Sequence, residues 1–161
     1  MSRVSIGQQA PDFTLYATAS NRQISLSELR GKYVVLFFYP QDHSPACTKE
    51  ACSFRDHYSE LTKSGAVVLG ISSNDLASHE EFAKAFNLPF PLLADEDHAV
   101  ADAYGTWKEK KMMGKLLIGN SRTTYLIDPE GVIAKIYENV KVVGHVETLQ
   151  ADLNALIATG N

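Results

Sequence analysis

Seven consecutive residues, Tyr33-Val34-Val35-Leu36-Phe37-Phe38-Tyr39, carry only aliphatic or aromatic side chains before Pro40 ends the run. A β-strand sends successive side chains to opposite faces, so a run without a polar side has to be covered above and below. That demand excludes a one-sided sheet here and calls for layers on both faces of a central strand. Ala66-Val67-Val68-Leu69-Gly70-Ile71-Ser72 has the same character. Thr123-Thr124-Tyr125-Leu126-Ile127 and Val132-Ile133-Ala134-Lys135-Ile136-Tyr137 flank Asp128-Pro129-Glu130-Gly131, turn chemistry that predicts a hairpin. Phe13 to Tyr16 with Gln23 to Ser25 predicts a smaller one near the start.

Helical spacing fills the intervals. From Cys47 onward, Ala51, Phe54, Tyr58 and Leu61 recur at three- and four-residue steps. Ser78-His79-Glu80-Glu81 reads as a capping box opening a helix through Phe82 and Phe86. A short helix is expected through Ala99 and Tyr104, and a last one presents Val146, Leu149, Leu153, Leu156 and Ile157 on one face. The result is an α/β chain with a mixed β-sheet flanked by helices on both faces. With 161 residues and no linker or repeat, residues 1–161 are expected to form a single domain.

A net charge of −4 argues against general nucleic-acid binding or an anionic-membrane binder. The longest apolar run is far too short to span a bilayer. The opening Met1-Ser2-Arg3-Val4-Ser5-Ile6-Gly7 has no apolar signal-peptide core, which makes the cytoplasm the expected compartment. No exposed apolar stripe is evident, so a monomer is expected.

The chemistry concentrates at two cysteines, Cys47 and Cys52. The first long strand ends at Pro40, and a loop from Gln41 to Ala46 leads to Cys47 at a helix start. In an open α/β sheet ligands bind beyond the carboxyl ends of strands. A helix N-terminus offers free N–H groups and partial positive charge, which stabilise a thiolate. Cys47 is therefore placed as a nucleophile. Five residues along a helix leave Cys52 about 140° around and about 7.5 Å up, with Cα atoms roughly 8.6 Å apart. A disulfide needs about 7 Å or less. Either the two never meet, or the first turns unwind when they do.

The segment Phe38-Tyr39-Pro40-Gln41-Asp42-His43-Ser44-Pro45-Ala46-Cys47-Thr48-Lys49-Glu50-Ala51-Cys52 resembles the active-site segment of peroxiredoxins, most closely their bacterioferritin-comigratory-protein, or PrxQ, branch. That branch carries a Pro-x-x-x-Thr/Ser-x-x-Cys core and a second cysteine five residues on, matched by Pro40, Ser44, Cys47 and Cys52. The likeness runs from Gly7 and Ala10-Pro11-Asp12-Phe13, through Tyr104-Gly105-Thr106-Trp107, to Ser121-Arg122-Thr123-Thr124 and the final helix. Ala46 replaces the usual Gly, and Ser44 the commoner Thr.

The resemblance implies a thioredoxin-like fold and a thiol peroxidase without metal or organic cofactor. It implies that Cys47 attacks a peroxide and becomes a sulfenic acid, which Cys52 resolves as a disulfide that thioredoxin or a similar dithiol protein reduces. Hydrogen peroxide and organic hydroperoxides are the expected substrates. Ser44 would hydrogen-bond the peroxide, Pro40 would shield the pocket from water, Arg122 would hold thiolate and peroxide, and Glu50 would orient the arginine. Taken alone, each has a plainer reading: Arg122 a surface charge, Ser44 a capping hydroxyl, Pro40 a strand terminator, Glu50 a first-turn carboxylate favoured by the helix dipole.

His43, Cys47, Cys52 and His57 do not make a zinc set, because Cys47, Cys52 and His57 point apart around one helix. His79, His98 and His145 read as solvated or capping residues, and Trp107 with Lys108, Lys110 and Lys111 as a solvated basic loop in preference to a reductant-docking or pocket-edge loop. A thioredoxin-like disulfide oxidoreductase without peroxidase activity is the alternative, although that chemistry favours Cys-x-x-Cys. A non-catalytic binding module on the same fold is a third possibility.

Overall fold

The computed structural model describes residues 4–18 and 22–159; Met1, Ser2 and Arg3 of the opening segment lie outside them. The central sheet has five strands in the order β5-β4-β3-β8-β9: β3 (Tyr33–Phe38), β4 (Ala66–Ser72), β5 (Leu92–Ala94), β8 (Thr123–Ile127) and β9 (Ile133–Tyr137). β3 pairs parallel with β4 and antiparallel with β8, so the sheet is mixed, as expected. Every residue of β3 is buried, which the uninterrupted apolar run requires. The remaining strands form two hairpins, β1 (Thr14–Tyr16) with β2 (Gln23–Ser25) and β6 (Trp107–Met112) with β7 (Lys115–Asn120).

One face of the sheet packs Tyr33, Val35 and Phe37 against α1 (Pro45–Asp56), α2 (Tyr58–Lys63), α3 (Leu76–Phe86) and α5 (His145–Ala158). The other packs Val34, Leu36 and Phe38 against the β1–β2 region and α4 (Ala99–Tyr104). Helices thus cover both faces, four on one and the short α4 on the other. Phe54 of α1 is fully buried and stacks on Phe37 with ring centroids 4.5 Å apart, fastening the second half of α1 to β3. At His57 the chain leaves helical geometry for one residue, with φ −103° and ψ 5°, before α2 begins.

Several expectations need correction. α3 is capped by Asp75, whose carboxylate accepts from the Ser78 N–H at 2.8 Å, and not by Ser78. Ile157 is 39% exposed rather than part of the buried face of α5. β5 had no signature, since three residues behind Leu88-Pro89-Phe90-Pro91 are too few to show a period. The basic segment from Trp107 is a strand, not a loop. Its hairpin with β7 places Met113, Leu116, Leu117 and Ile118 at the surface, an exposed apolar patch that contradicts the expectation of none.

The β8–β9 turn forms where expected. Asp128 Oδ1 accepts from the N–H groups of Glu130 and Val132. Gly131 has φ +83°, left-handed backbone that any residue with a Cβ would adopt only under strain, so the turn favours glycine.

His145 is buried instead of solvated, bonded through Nε2 to the Thr124 hydroxyl at 3.0 Å. Burial disfavours its charged form and pushes its pKa from 6.5 down to about 4. The fold therefore binds fewer protons here than the unfolded chain. Stability is fully present above 6.5 and is lost as pH falls from there toward 4. Urea titrations at pH 7 and pH 4.5 should show a loss of about 2 kcal/mol from this group, and His145→Gln should flatten the dependence.

Candidate active site

α1 begins at Pro45, two residues earlier than the sequence suggested, and proline at a helix start has no N–H to leave unpaired. The first helical bond runs from Thr48 N–H to Ser44 C=O at 2.9 Å, so the N–H groups of Ala46 and Cys47 have no partner within the helix. Cys47 sits in this first turn and is 1% exposed. Cys52, on the same helix, is partly exposed, and both thiols are free. The intact helix holds them apart, as the spacing required.

Arg122 occupies the short link between β7 and β8. Its Nη1 donates to Cys47 Sγ at 3.4 Å and to Glu50 Oε1 at 2.9 Å. Residues 75 apart in sequence thus meet because β8 lies beside β3, whose end feeds α1. Burial works against the Arg122 charge, but Cys47 and Glu50 together raise its pKa above the ordinary value. Glu50 is 1% exposed; burial raises its pKa from 4.5 to about 7, with Arg122 pulling the other way. Its second oxygen, Oε2, is buried with no hydrogen-bond partner among the described residues.

Pro40 is exposed and lines a cavity of about 470 Å³ together with Gln41, Leu117, Ile118 and Arg122. Ser44 is the N-cap of α1, yet its hydroxyl turns back to the Gln41 carbonyl at 3.2 Å and makes no bond to a helix N–H. Cys47, Arg122 and Glu50 are therefore brought into contact, with Pro40 beside Arg122 on the cavity wall. Ser44 and Cys52 approach the group only through α1.

The loop carrying these residues is pinned by a network that sequence reasoning missed. Asp42 Oδ2 lies 2.7 Å from His79 Nδ1 and accepts from the Ser78 hydroxyl at 2.8 Å. Its Oδ1 accepts from the Tyr39 hydroxyl at 2.6 Å. His79, read earlier as solvated, is fully buried, and its Nε2 donates to the Leu93 carbonyl at 2.9 Å. Burial pushes the Asp42 carboxyl up, but the bond and charge of His79, with the Tyr39 and Ser78 hydroxyls, hold it below its usual value. No local spacing announces a pair 37 positions apart; the available signal was an acidic residue in the short loop between a buried strand and a helix start. His98, also read as solvated, stacks on Trp107 with centroids 4.2 Å apart and is only partly exposed.

A five-stranded mixed sheet with a cysteine at a helix start beyond its central strand, and an arginine on the sulfur, defines a thioredoxin-like protein equipped for thiol chemistry. The AhpC/TSA family profile matches residues 6–136. A protein of Coxiella burnetii named a putative peroxiredoxin bcp is 50% identical over 143 residues, 89% of this chain and 94% of its own length. Peroxiredoxin Bcp of Bacillus subtilis is 45% identical over 148 residues, 91% of this chain and 94% of its own. A solved structure of PrxQ from Xylella fastidiosa superposes with TM-score 0.91 at 30% identity, covering 98% of this chain and 99% of that one. The chain belongs to the AhpC/TSA family, in the Bcp/PrxQ branch of the peroxiredoxins. Among the described residues no helix is long and apolar enough to cross a membrane.

Proposed function

We propose that the protein reduces hydrogen peroxide and organic hydroperoxides through Cys47, and the observation that carries this is the Arg122 Nη1 to Cys47 Sγ contact of 3.4 Å. Free N–H groups in the first turn and the adjacent guanidinium both favour negative charge on the sulfur. The thiolate attacks one peroxide oxygen, the O–O bond breaks, and charge moves from sulfur to the leaving oxygen. A guanidinium cannot lose its proton and holds donors for both ends of that movement.

Peroxide enters by the cavity that Pro40 and Arg122 line, where Leu117 and Ile118 suit an organic tail. The Ser44 hydroxyl turns from the Gln41 carbonyl to the peroxide, and Glu50 holds Arg122 in place. Cys52 condenses with the Cys47 sulfenic acid after the first turns of α1 unwind. Thioredoxin or a similar dithiol protein then reduces the disulfide by exchange. One domain spanning residues 1–161, acting as a monomer in the cytoplasm without metal or organic cofactor, completes the reading. The relatives named as peroxiredoxins favour it over the disulfide oxidoreductase.

Intact mass after one equivalent of hydrogen peroxide tests the cycle. The expected change is a loss of about two mass units, absent in Cys47→Ser. A stable gain of about sixteen would remove Cys52 from the scheme, and an unchanged mass would remove Cys47.

A further inference from the structure

One cation serves two buried acids. Arg122 Nη1 bonds both Cys47 Sγ and Glu50 Oε1, and among the described residues it is the only cation within ion-pairing distance of Glu50. If both acids ionise, the pocket holds two negative charges against one positive charge. The Glu50 oxygen that Arg122 does not reach is buried without any donor among the described residues. A full charge there would lack compensation, whereas a proton there removes the need for it. Among the described residues the ionisable group that bonds Glu50 is Arg122, from the link into β8, and Cys47, three residues back on α1, shares that same guanidinium nitrogen. Tyr39, at the end of β3, interacts electrostatically with the sulfur, and its hydroxyl is already given to Asp42.

We propose that Glu50 holds a proton while Cys47 is a thiolate and yields it as the sulfur is oxidised, so that the buried site keeps the same net charge through the peroxide step. The inference rests on the peroxidase reading above. Before reaction the charges are thiolate, guanidinium and neutral carboxylic acid. The sulfur lone pair forms the new S–O bond, the O–O bond breaks, and the electron pair leaves on the second oxygen. The Glu50 proton goes to that oxygen, which departs as water or an alcohol. The products are a neutral sulfenic acid, guanidinium and carboxylate, with Arg122 now free to pair with Glu50 alone. Sulfur is oxidised, peroxide oxygen is reduced, and no proton is drawn from bulk water. The scheme also fits the direction in which burial moves Glu50, up from 4.5 to about 7 against the pull of Arg122. Glu50 is in this sense a proton reservoir coupled to the sulfur's oxidation state.

The test uses the full chain with Cys52→Ser, which stops the reaction at the sulfenic acid, and hydrogen peroxide as the probe. The infrared difference spectrum should show a protonated-carboxyl band in the reduced protein that gives way to a carboxylate band on oxidation. Glu50→Gln should lack both, and Glu50→Asp, which keeps a carboxyl, should shift the band. In weakly buffered dye solution the parent should take up no proton per sulfenic acid. Glu50→Gln, with its thiolate confirmed by ultraviolet absorbance, should take up one and react about 10²-fold more slowly. Gln preserves a bond to Arg122, so a purely orienting role predicts little change in either readout. A carboxyl band that survives oxidation, or one proton taken up by both proteins, would overturn the proposal while leaving the peroxidase reading intact. Absence of a sulfenic acid in the parent's mass spectrum would bring down both.

Discussion

Arg122→Met should react with hydrogen peroxide about 10²–10³-fold more slowly than the parent in single-turnover measurements. Methionine fills much of the arginine's volume and packs adaptably, so the sheet and α1 should keep their positions. What disappears is the donor 3.4 Å from the sulfur, together with the positive charge that offsets the thiolate and the leaving oxygen. Glu50 also loses its only ion-pair partner among the described residues, leaving burial unopposed, so the acid is driven further toward its neutral form. Arg122→Lys restores the charge but offers a single compact ammonium in place of a planar fork, and should recover part of the rate. A rate within threefold of the parent in Arg122→Met would remove Arg122 from the chemistry.

The largest stability effect is expected at the pin beneath the active-site loop. His79→Leu leaves the Asp42 carboxylate, 4% exposed, without its buried partner. Removing one member of such a pair costs about 3–5 kcal/mol, because the remaining charge stays desolvated. For a chain of this size that corresponds to a fall in Tm of roughly 10 °C. Asp42→Asn combined with His79→Gln removes both charges while keeping groups that can hydrogen-bond, and should recover more than half of the loss. The Asp42 carboxyl is held below its ordinary value, so the pair's contribution is in place above pH 3.8 and is lost as pH falls below it. The gap between parent and His79→Leu should therefore narrow in acid. Urea titrations of the three proteins across pH would decide the matter; equal stabilities at pH 7 would mean the pair contributes nothing.

The elements of the fold differ in how plainly the sequence encodes them. β3 and β4 were legible because burial on both faces writes an unbroken apolar run, and the β8–β9 turn because Pro and Gly stand between two such runs. α1 was legible from Ala51, Phe54 and the cysteine at its start, although its first residue was placed two positions late. β6 and β7 were not, since an exposed two-stranded hairpin rich in lysine has no core face to impose alternation. Cys47 was legible from its place at a helix start beyond the first long strand, and Arg122 only through a family resemblance; their contact depends on β8 pairing with β3, which no local pattern specifies. Asp42 and His79 were passed over for the same reason, each half of the pair being unremarkable until the fold joins them. Glu50 was legible as a helical-turn carboxylate, but its unpartnered oxygen exists only in three dimensions.

The way α1 is fastened has a consequence for repeated use. Its anchor, Phe54 on Phe37, lies two residues beyond Cys52, and the irregular residue at His57 separates α1 from α2. If α1 unwinds from Pro45 to bring the two sulfurs together, as proposed above, the Phe54 anchor would stop the unwinding there and spare α2. The first turns of α1 would then behave like a resettable fuse: the part that gives way is short, lies between the pinned Asp42 loop and the Phe54 anchor, and regains its buried Cys47 and Ala51 contacts when it recovers.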